Sequence, residues 1–252
     1  MDRSYLSDKD VVNASRGFIC LRLVTYEDAQ EMEFMKSTYF FQTPTKNSLF
    51  AILDPAGKKH LVSPGRSMRN TFEDADAMAQ RMDEILKDYP KPKQGDLGKL
   101  GLPYLKDVRV ALNVAACDSQ RLVILYAKTD AECRKLEGML QPLAWDKSLV
   151  GNLLYATTNE VKDLEQIDDV GRSAGLLIIE PGPYGVRGRQ VGFIDVSTKP
   201  ASALRSLIKV AKANQLGSKD SKVHIGLGMR EGIEWKPAFE DTDTARTKRR
   251  PR

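Results

Sequence analysis

The second half of the chain alternates between strand-like and helix-like spacings of its hydrophobic positions. Strand-like segments occur at residues 121–126, 152–157, 175–180 and 190–195, the last two on either side of a turn at residues 181–185. Helical spacing occurs at residues 108–116, 130–140 and 200–215, and a short helix is expected to begin within residues 159–164. The order α-β-α-β-α-β-β-α predicts an α/β domain with a mixed sheet flanked by helices.

The N-terminal part of the chain predicts a smaller set of elements. Helices are expected at residues 8–15 and 29–37, and a hairpin at residues 49–62. The mostly apolar run Phe18–Val24 predicts a central strand covered on both faces. A last helix is expected to start at an Asn70 cap and to bury one apolar stripe, consisting of Phe72, Ala75, Ala79, Met82 and Leu86.

A segment of alternating Pro and Lys followed by two glycines, within residues 89–98, predicts a linker because it stops a helix and resists packing. We therefore expect four parts along the chain: a first domain, a linker, a second domain and a C-terminal extension. Their predicted ranges are 1–88, 89–101, 102–216 and 217–252.

Charge and composition exclude several classes of function. The formal net charge is +5, and five cations lie within Arg246–Arg252, so the rest of the chain is near neutral (5 − 5 = 0). That balance argues against a broad nucleic-acid surface. We interpret the basic end as a solvated, disordered tail, and a contact of this tail with RNA or an acidic partner is the alternative.

Metal, cofactor and membrane functions find little support in the sequence. Two histidines and three cysteines, with no C-x-x-C, leave little room for a metal site or a disulfide framework, so we expect no metal and no cofactor. The apolar runs are too short to cross a bilayer, and Met1–Leu6 contains no apolar segment of a signal peptide. As the chain stands, these features predict a cytoplasmic protein.

The segment Leu122–Leu136 leads from a hydrophobic strand into the start of a helix, and it contains Asp130 and Cys133. This segment resembles the active-site region of thioredoxins, where the family places Trp-Cys-x-x-Cys-Lys. Asp130 then stands at the position of the nucleophilic cysteine and Cys133 at that of the second cysteine. Dithiol exchange needs an attacking thiolate and a resolving thiol, and an aspartate supplies neither.

The first domain resembles the later part of the same fold. Met1–Leu23 is similar to the stretch that follows the Cys-x-x-Cys helix in bacterial thioredoxin-related proteins, and Leu53–Lys58 is similar to their Leu-Asp-Pro-Asp-Gly-Lys turn. The resemblance implies two thioredoxin-like domains, the first of them N-terminally incomplete. It also implies that a Cys-x-x-Cys, and a signal peptide directing the protein to the periplasm or outside the cell, could lie upstream of Met1.

Thioredoxins place a cis-proline before their fourth strand, facing the dithiol. Thr43 and Pro44, followed by Thr45, resemble that signal in the first domain, although Lys46, Asn47 and Ser48 still separate them from the next strand. Ala174 occupies the corresponding place in the second domain. The resemblance implies a substrate groove at Thr43, Pro44 and Ala174. The absence of proline at position 174 weakens the case for docking of a disulfide substrate there.

Cys133 is the candidate reactive thiol because it lies near a helix N-terminus. It shares a helical face with Leu136, Leu140 and Leu143, so we interpret it as a buried, inert thiol with a pKa at or above the ordinary value. Asp130 is expected to cap the helix. Cys20 is predicted to lie in the core, whereas Cys117 ends a helix.

These observations favour a thioredoxin-fold protein without a complete dithiol, acting as a protein-binding, scaffold or chaperone-like module with a protein client or partner subunit. A thiol-disulfide oxidoreductase whose Cys-x-x-Cys lies upstream of Met1 is the alternative. A monothiol redox enzyme using Cys133 is a weaker one. The sequence leaves the client and the oligomeric state open.

Overall fold

The computed structural model describes residues 4–25, 27–39, 49–89, 101–146, 148–213 and 220–234. These residues form two compact units, one within residues 4–89 and one within residues 101–234. The described parts contain seven α-helices and a single six-stranded mixed sheet, which confirms the predicted α/β class. The predicted linker, apart from its two ends, and the basic tail lie outside the described residues.

The second unit contains the whole sheet. Its strands are β1 (Tyr104–Leu105), β2 (Arg121–Tyr126), β3 (Leu153–Thr158), β4 (Ile167–Asp168), β5 (Gly175–Pro181) and β6 (Gly188–Asp195). Its helices, numbered after three in the first unit, are α4 (Val108–Asp118), α5 (Asp130–Ala144), α6 (Pro200–Lys212) and α7 (Ser221–Arg230), with a 3-10 turn at Val161–Leu164. The four longer strands and α4 to α6 confirm the predicted elements. The two-residue strands β1 and β4 were not predicted.

The strands lie in the order β1-β3-β2-β5-β6-β4. β2 and β3 are parallel, as are β1 and β3, whereas β5 runs antiparallel to both β2 and β6. Each face of the sheet carries its own hydrophobic core. Helices α5 and α6 cover one face, and α4 covers the other, where Leu112 is completely buried.

The loop between β5 and β6 lies on α4. Gly185 adopts a φ of +66°, and a Cβ added there would lie only 2.4 Å from the Cα of Asn113. The Asn113 side chain donates a hydrogen bond to the Tyr184 carbonyl at 3.3 Å. The Tyr184 ring also stacks on His224 of α7, with ring centroids 4.4 Å apart, so this one loop contacts two helices.

The first unit is built from α1 (Lys9–Ser15), α2 (Ala29–Tyr39) and α3 (Ala75–Asp88). The predicted hairpin is present, but it is held by two isolated antiparallel bridges, Phe50 with Gly65 and Leu53 with His60, rather than by continuous strands. The core of this unit gathers around α3.

Two details at the start of α3 correct the sequence interpretation. The cap is Asp74, whose carboxylate accepts from the Ala77 N–H at 2.8 Å, whereas Asn70 lies in a separate 3-10 turn. Of the predicted stripe, Phe72, Ala79 and Met82 are buried and Ala75 packs against the same core, whereas Leu86 is half-buried. The helix also buries Met78 and Ile85, which the predicted stripe left out.

The predicted central strand Phe18–Val24 is wrong. These residues pair with no strand among the described residues, and Ile19, Cys20 and Leu21 are exposed. An apolar run forms a buried strand only where neighbouring strands supply hydrogen bonds and cover its faces. Among the described residues the sheet lies entirely in the second unit, and none of them supplies such neighbours to the run.

Candidate functional site

The candidate site lies where β2 ends and α5 begins. The carboxyl ends of the parallel strands β2 and β3 meet at one edge of the sheet, with Tyr126 and Thr158 as register partners. Tyr126 is also paired with Gly175 at the start of β5. This register brings Ala174, which precedes β5 and is buried, to the edge from which the chain enters α5. Carboxyl ends of strands at such an edge are a common location for ligands.

Thr129, rather than Asp130, caps α5. The Thr129 hydroxyl accepts from the Glu132 N–H at 3.2 Å, and the Glu132 carboxylate accepts from the N–H groups of Lys128 and Thr129 at 2.9 and 3.1 Å. This reciprocal capping box satisfies the donors that the helix start leaves open. The prediction for Asp130 was therefore wrong by one residue. Asp130 is the first residue of the helix, where its charge favours the dipole without accepting a capping bond.

Cys133 lies in the first turns of α5, half-buried against the core that α5 and α6 share. Burial raises the pKa of its thiol, and the negative charge of Glu137, to which the thiol donates a hydrogen bond, raises that pKa further. Asp130 also raises the pKa of Cys133, whereas Arg134 lowers it. The site therefore disfavours a thiolate, although it lies near a helix N-terminus.

Glu137 links Cys133 to the edge of the sheet. The Tyr104 hydroxyl of β1 donates to the Glu137 carboxylate at 3.4 Å, and burial together with that carboxylate raises the pKa of Tyr104. Sequence reasoning missed Glu137 and Tyr104. The i, i+4 spacing of Cys133 and Glu137 on a helix was a signal for the first of them. Tyr104 carried no signal, because a two-residue strand has no periodicity.

The raised pKa leads to a prediction about reactivity. The thiolate is the nucleophile that displaces iodide from iodoacetamide, so a raised thiol pKa shifts the reaction to higher pH. In the Cys20→Ser, Cys117→Ser variant, we expect Cys133 to alkylate slowly at neutral pH, with a rate midpoint above about 8.5, the ordinary thiol value. Adding Glu137→Gln removes the nearest negative charge and should lower that midpoint. Fast labelling with a midpoint below about 7 would contradict this description, since it would place Cys133 among activated cysteines.

The other two thiols lie apart from this site. Cys20 is exposed rather than in the core, and its thiol donates a long hydrogen bond to the Ser15 carbonyl, with sulfur and oxygen 3.8 Å apart. Partial desolvation raises the pKa of Cys20. Cys117 is exposed in the last turn of α4. The three cysteines are unpaired.

The proposed groove is only partly described. Ala174 lies at the edge of the sheet given above, whereas Thr43 and Pro44 fall outside the described residues. Within the described ranges, no peptide bond is cis and no group of three or more His, Cys, Asp or Glu side chains is placed to hold a metal ion. No helix in those ranges is long and apolar enough to cross a bilayer. The chain matches no protein-family model, no curated protein and no solved structure.

Proposed function

We propose that this chain is a thioredoxin-like protein without a working dithiol, which binds protein clients or a partner subunit. The second unit supports the thioredoxin-like assignment through its order of elements and its mixed sheet with helices on both faces. The resemblance of Leu122–Leu136 to the family's active-site segment gains support from the structure around it. The segment leads from β2 into α5 at the carboxyl edge of the sheet.

The residues at positions 130 and 133 argue for a binding role and against catalysis of thiol-disulfide exchange. A carboxylate occupies position 130. The thiol at position 133 is half-buried and donates a hydrogen bond to Glu137, and its pKa is raised. Thiol-disulfide exchange requires a thiolate that attacks and a second thiol that resolves the mixed disulfide. Asp130 performs neither step, and the surroundings of Cys133 oppose the first. Such a site can still bind a protein at the edge of the sheet, but it lacks the groups needed for thiol-disulfide exchange.

Dithiothreitol-driven reduction of insulin tests this function. The full chain should reduce insulin no faster than a variant in which Cys20, Cys117 and Cys133 are all replaced by Ser, because no resolving thiol is available. If the chain binds clients as a chaperone does, both the native chain and the triple variant should delay the precipitation of insulin B chains. Turnover clearly above that of the triple variant would contradict the proposal and would favour the monothiol enzyme.

The matched positive control is Asp130→Cys. It places two thiols three residues apart at the start of α5, in the spacing that dithiol oxidoreductases use. The cap is unaffected, because Thr129 and Glu132 provide it. Turnover in this variant, together with none in the native chain, would assign the inactivity to the residue at position 130. Oxidation of the variant should remove two titratable thiols.

A further inference from the structure

Glu137 places a negative charge beside the candidate site without a cation to balance it. Its side chain is half-buried on α5, one turn after Cys133. Its hydrogen-bond donors are the Tyr104 hydroxyl, at 3.4 Å, and the Cys133 thiol, and both of these donors are neutral. The ion pairs found among the described residues engage other carboxylates, so within those ranges Glu137 forms none.

The two neutral donors leave the Glu137 carboxylate able to accept more. A carboxylate offers about four lone-pair sites on its two oxygens, and 3.4 Å is a long separation for an O–H···O hydrogen bond. A charge that has lost part of its water costs free energy unless a counter-charge compensates it. Glu180, the corresponding carboxylate on β5, has such a counter-charge in Arg121 at 3.2 Å. Glu137 can gain one from outside the chain.

The charges around Cys133 favour a cation as the visiting group. Glu137 and Asp130 are the carboxylates that act on this thiol, and both raise its pKa, whereas Arg134 is the guanidinium that opposes them. Two negative charges and one positive charge attract a cation and repel an anion. A bare metal ion needs more ligands, because the described residues contain no group of three His, Cys, Asp or Glu placed to hold one. The ammonium or guanidinium group of a peptide side chain needs only the one carboxylate.

We propose that Glu137 determines client specificity by binding a lysine or arginine side chain of the client. This inference rests on the proposed function, since it names the kind of segment that the edge of the sheet would select. The cationic group of the client donates to the Glu137 carboxylate. Electrostatic complementarity at a partly exposed contact contributes mainly to specificity, so a client without the cation should bind more weakly rather than fail to bind.

Two matched peptides test the selection with the full chain. The first is fluorescein-labelled Ala-Val-Ser-Leu-Lys-Leu-Ser-Val-Ala, and the second has Gln in place of Lys. Fluorescence anisotropy should give a Kd about fivefold lower for the Lys peptide, the upper range for an ion pair that solvent reaches. With Glu137→Gln the ratio of the two Kd values should fall to about one, because the four values form a double-mutant cycle that isolates the contact between Glu137 and lysine.

Two further variants separate this contact from general electrostatics and from misfolding. Glu165→Gln makes the same change of net charge at an exposed glutamate beyond the 3-10 turn, and it should leave the fivefold ratio unchanged. Tyr104→Phe removes a neutral donor that competes for Glu137, so it should not reduce the preference for lysine. An unchanged urea unfolding midpoint in Glu137→Gln shows that this variant is folded.

The outcomes distinguish this inference from the function on which it rests. Equal Kd values for the two peptides on the native chain would overturn the recognition of a cation and would leave client binding in place. A preference for lysine that survives in Glu137→Gln, or that disappears in Glu165→Gln, would also overturn it. So would failure of both peptides to bind, and the insulin precipitation assay then decides the proposed function separately.

Discussion

Replacing Gly185 by Ala is expected to lower the free energy of unfolding of the second unit by about 3 kcal/mol or more. A left-handed φ of +66° alone costs a residue with a Cβ on the order of 1 kcal/mol. The added Cβ would also lie 2.4 Å from the Asn113 Cα and 2.9 Å from the Leu112 carbonyl oxygen. These are backbone atoms of α4, so the clash is relieved only if the loop moves away from the helix. That movement breaks the hydrogen bond between Asn113 and Tyr184.

Gly151 provides the matched control. Its φ is +76°, but no atom lies within 4 Å of the Cβ position, so Gly151→Ala carries the conformational cost without the clash. The measurement is urea unfolding followed by Trp145 fluorescence in a Trp235→Phe background, which leaves Trp145 as the single tryptophan. This signal reports on the second unit, where the Trp145 indole N–H donates a hydrogen bond to the Gly101 carbonyl at 2.9 Å. If Gly185→Ala and Gly151→Ala lowered the free energy of unfolding equally, the result would contradict the packing of the loop on α4.

The second large effect is expected at Leu112. This side chain is completely buried in the core between α4 and the sheet, so Leu112→Ala should cost about 3–5 kcal/mol through lost burial and the cavity left behind. One wall of that cavity is Gly188, since a Cβ added there would lie 2.8 Å from the Leu112 Cδ1. Gly188→Ala is therefore expected to destabilise the native core, in which Leu112 and Ile179 already fill the space.

The double variant Leu112→Ala, Gly188→Ala should lose less stability than the sum of the two single changes, because the new methyl group enters the space that leucine vacates. Leu112→Met is the conservative control and should cost below about 1.5 kcal/mol. The same Trp145 fluorescence assay measures all four proteins. Strict additivity would show that Leu112 and Gly188 do not face each other across the core.

Much of the second unit could be predicted because its periodicity agrees with its packing. The apolar run Leu122–Tyr126 follows Gln120 and Arg121, and the strand β2 has the predicted ends, Arg121 and Tyr126. Helix α7 was missed for a physical reason. Its apolar residues Val223, Ile225, Leu227 and Met229 recur at every second position, a strand-like spacing, and two glycines interrupt it.

What holds α7 in a helix is partly tertiary. Asp220 caps it by accepting from the N–H groups of Lys222 and Val223, a local signal that the sequence does contain. The contact with Tyr184 is made from a distant loop, and Gly228 permits it, since a Cβ there would lie 2.9 Å from the tyrosine ring. Such a contact cannot be predicted from the spacing of apolar residues along the chain.

The first unit and the candidate site show where local patterns were insufficient. The run Phe18–Val24 has strand composition, yet a strand also needs a partner, and the composition of one segment does not supply it. At the site, Asp130 and Thr129 are both good capping residues. The sequence Thr129-Asp130-Ala131-Glu132 held the deciding signal, because Glu132 at the third position after Thr129 completes a capping box.

The position of that cap has an evolutionary consequence. Because Thr129 and Glu132 cap the start of α5, the side chain at position 130 accepts no capping hydrogen bond and contributes only its charge to the helix dipole. A lineage carrying this fold can therefore exchange the residue there with little penalty to folding. Under the function proposed above, drift at this one site would add or remove a cysteine without rebuilding the start of the helix, and the surface proposed to bind clients would be inherited unchanged.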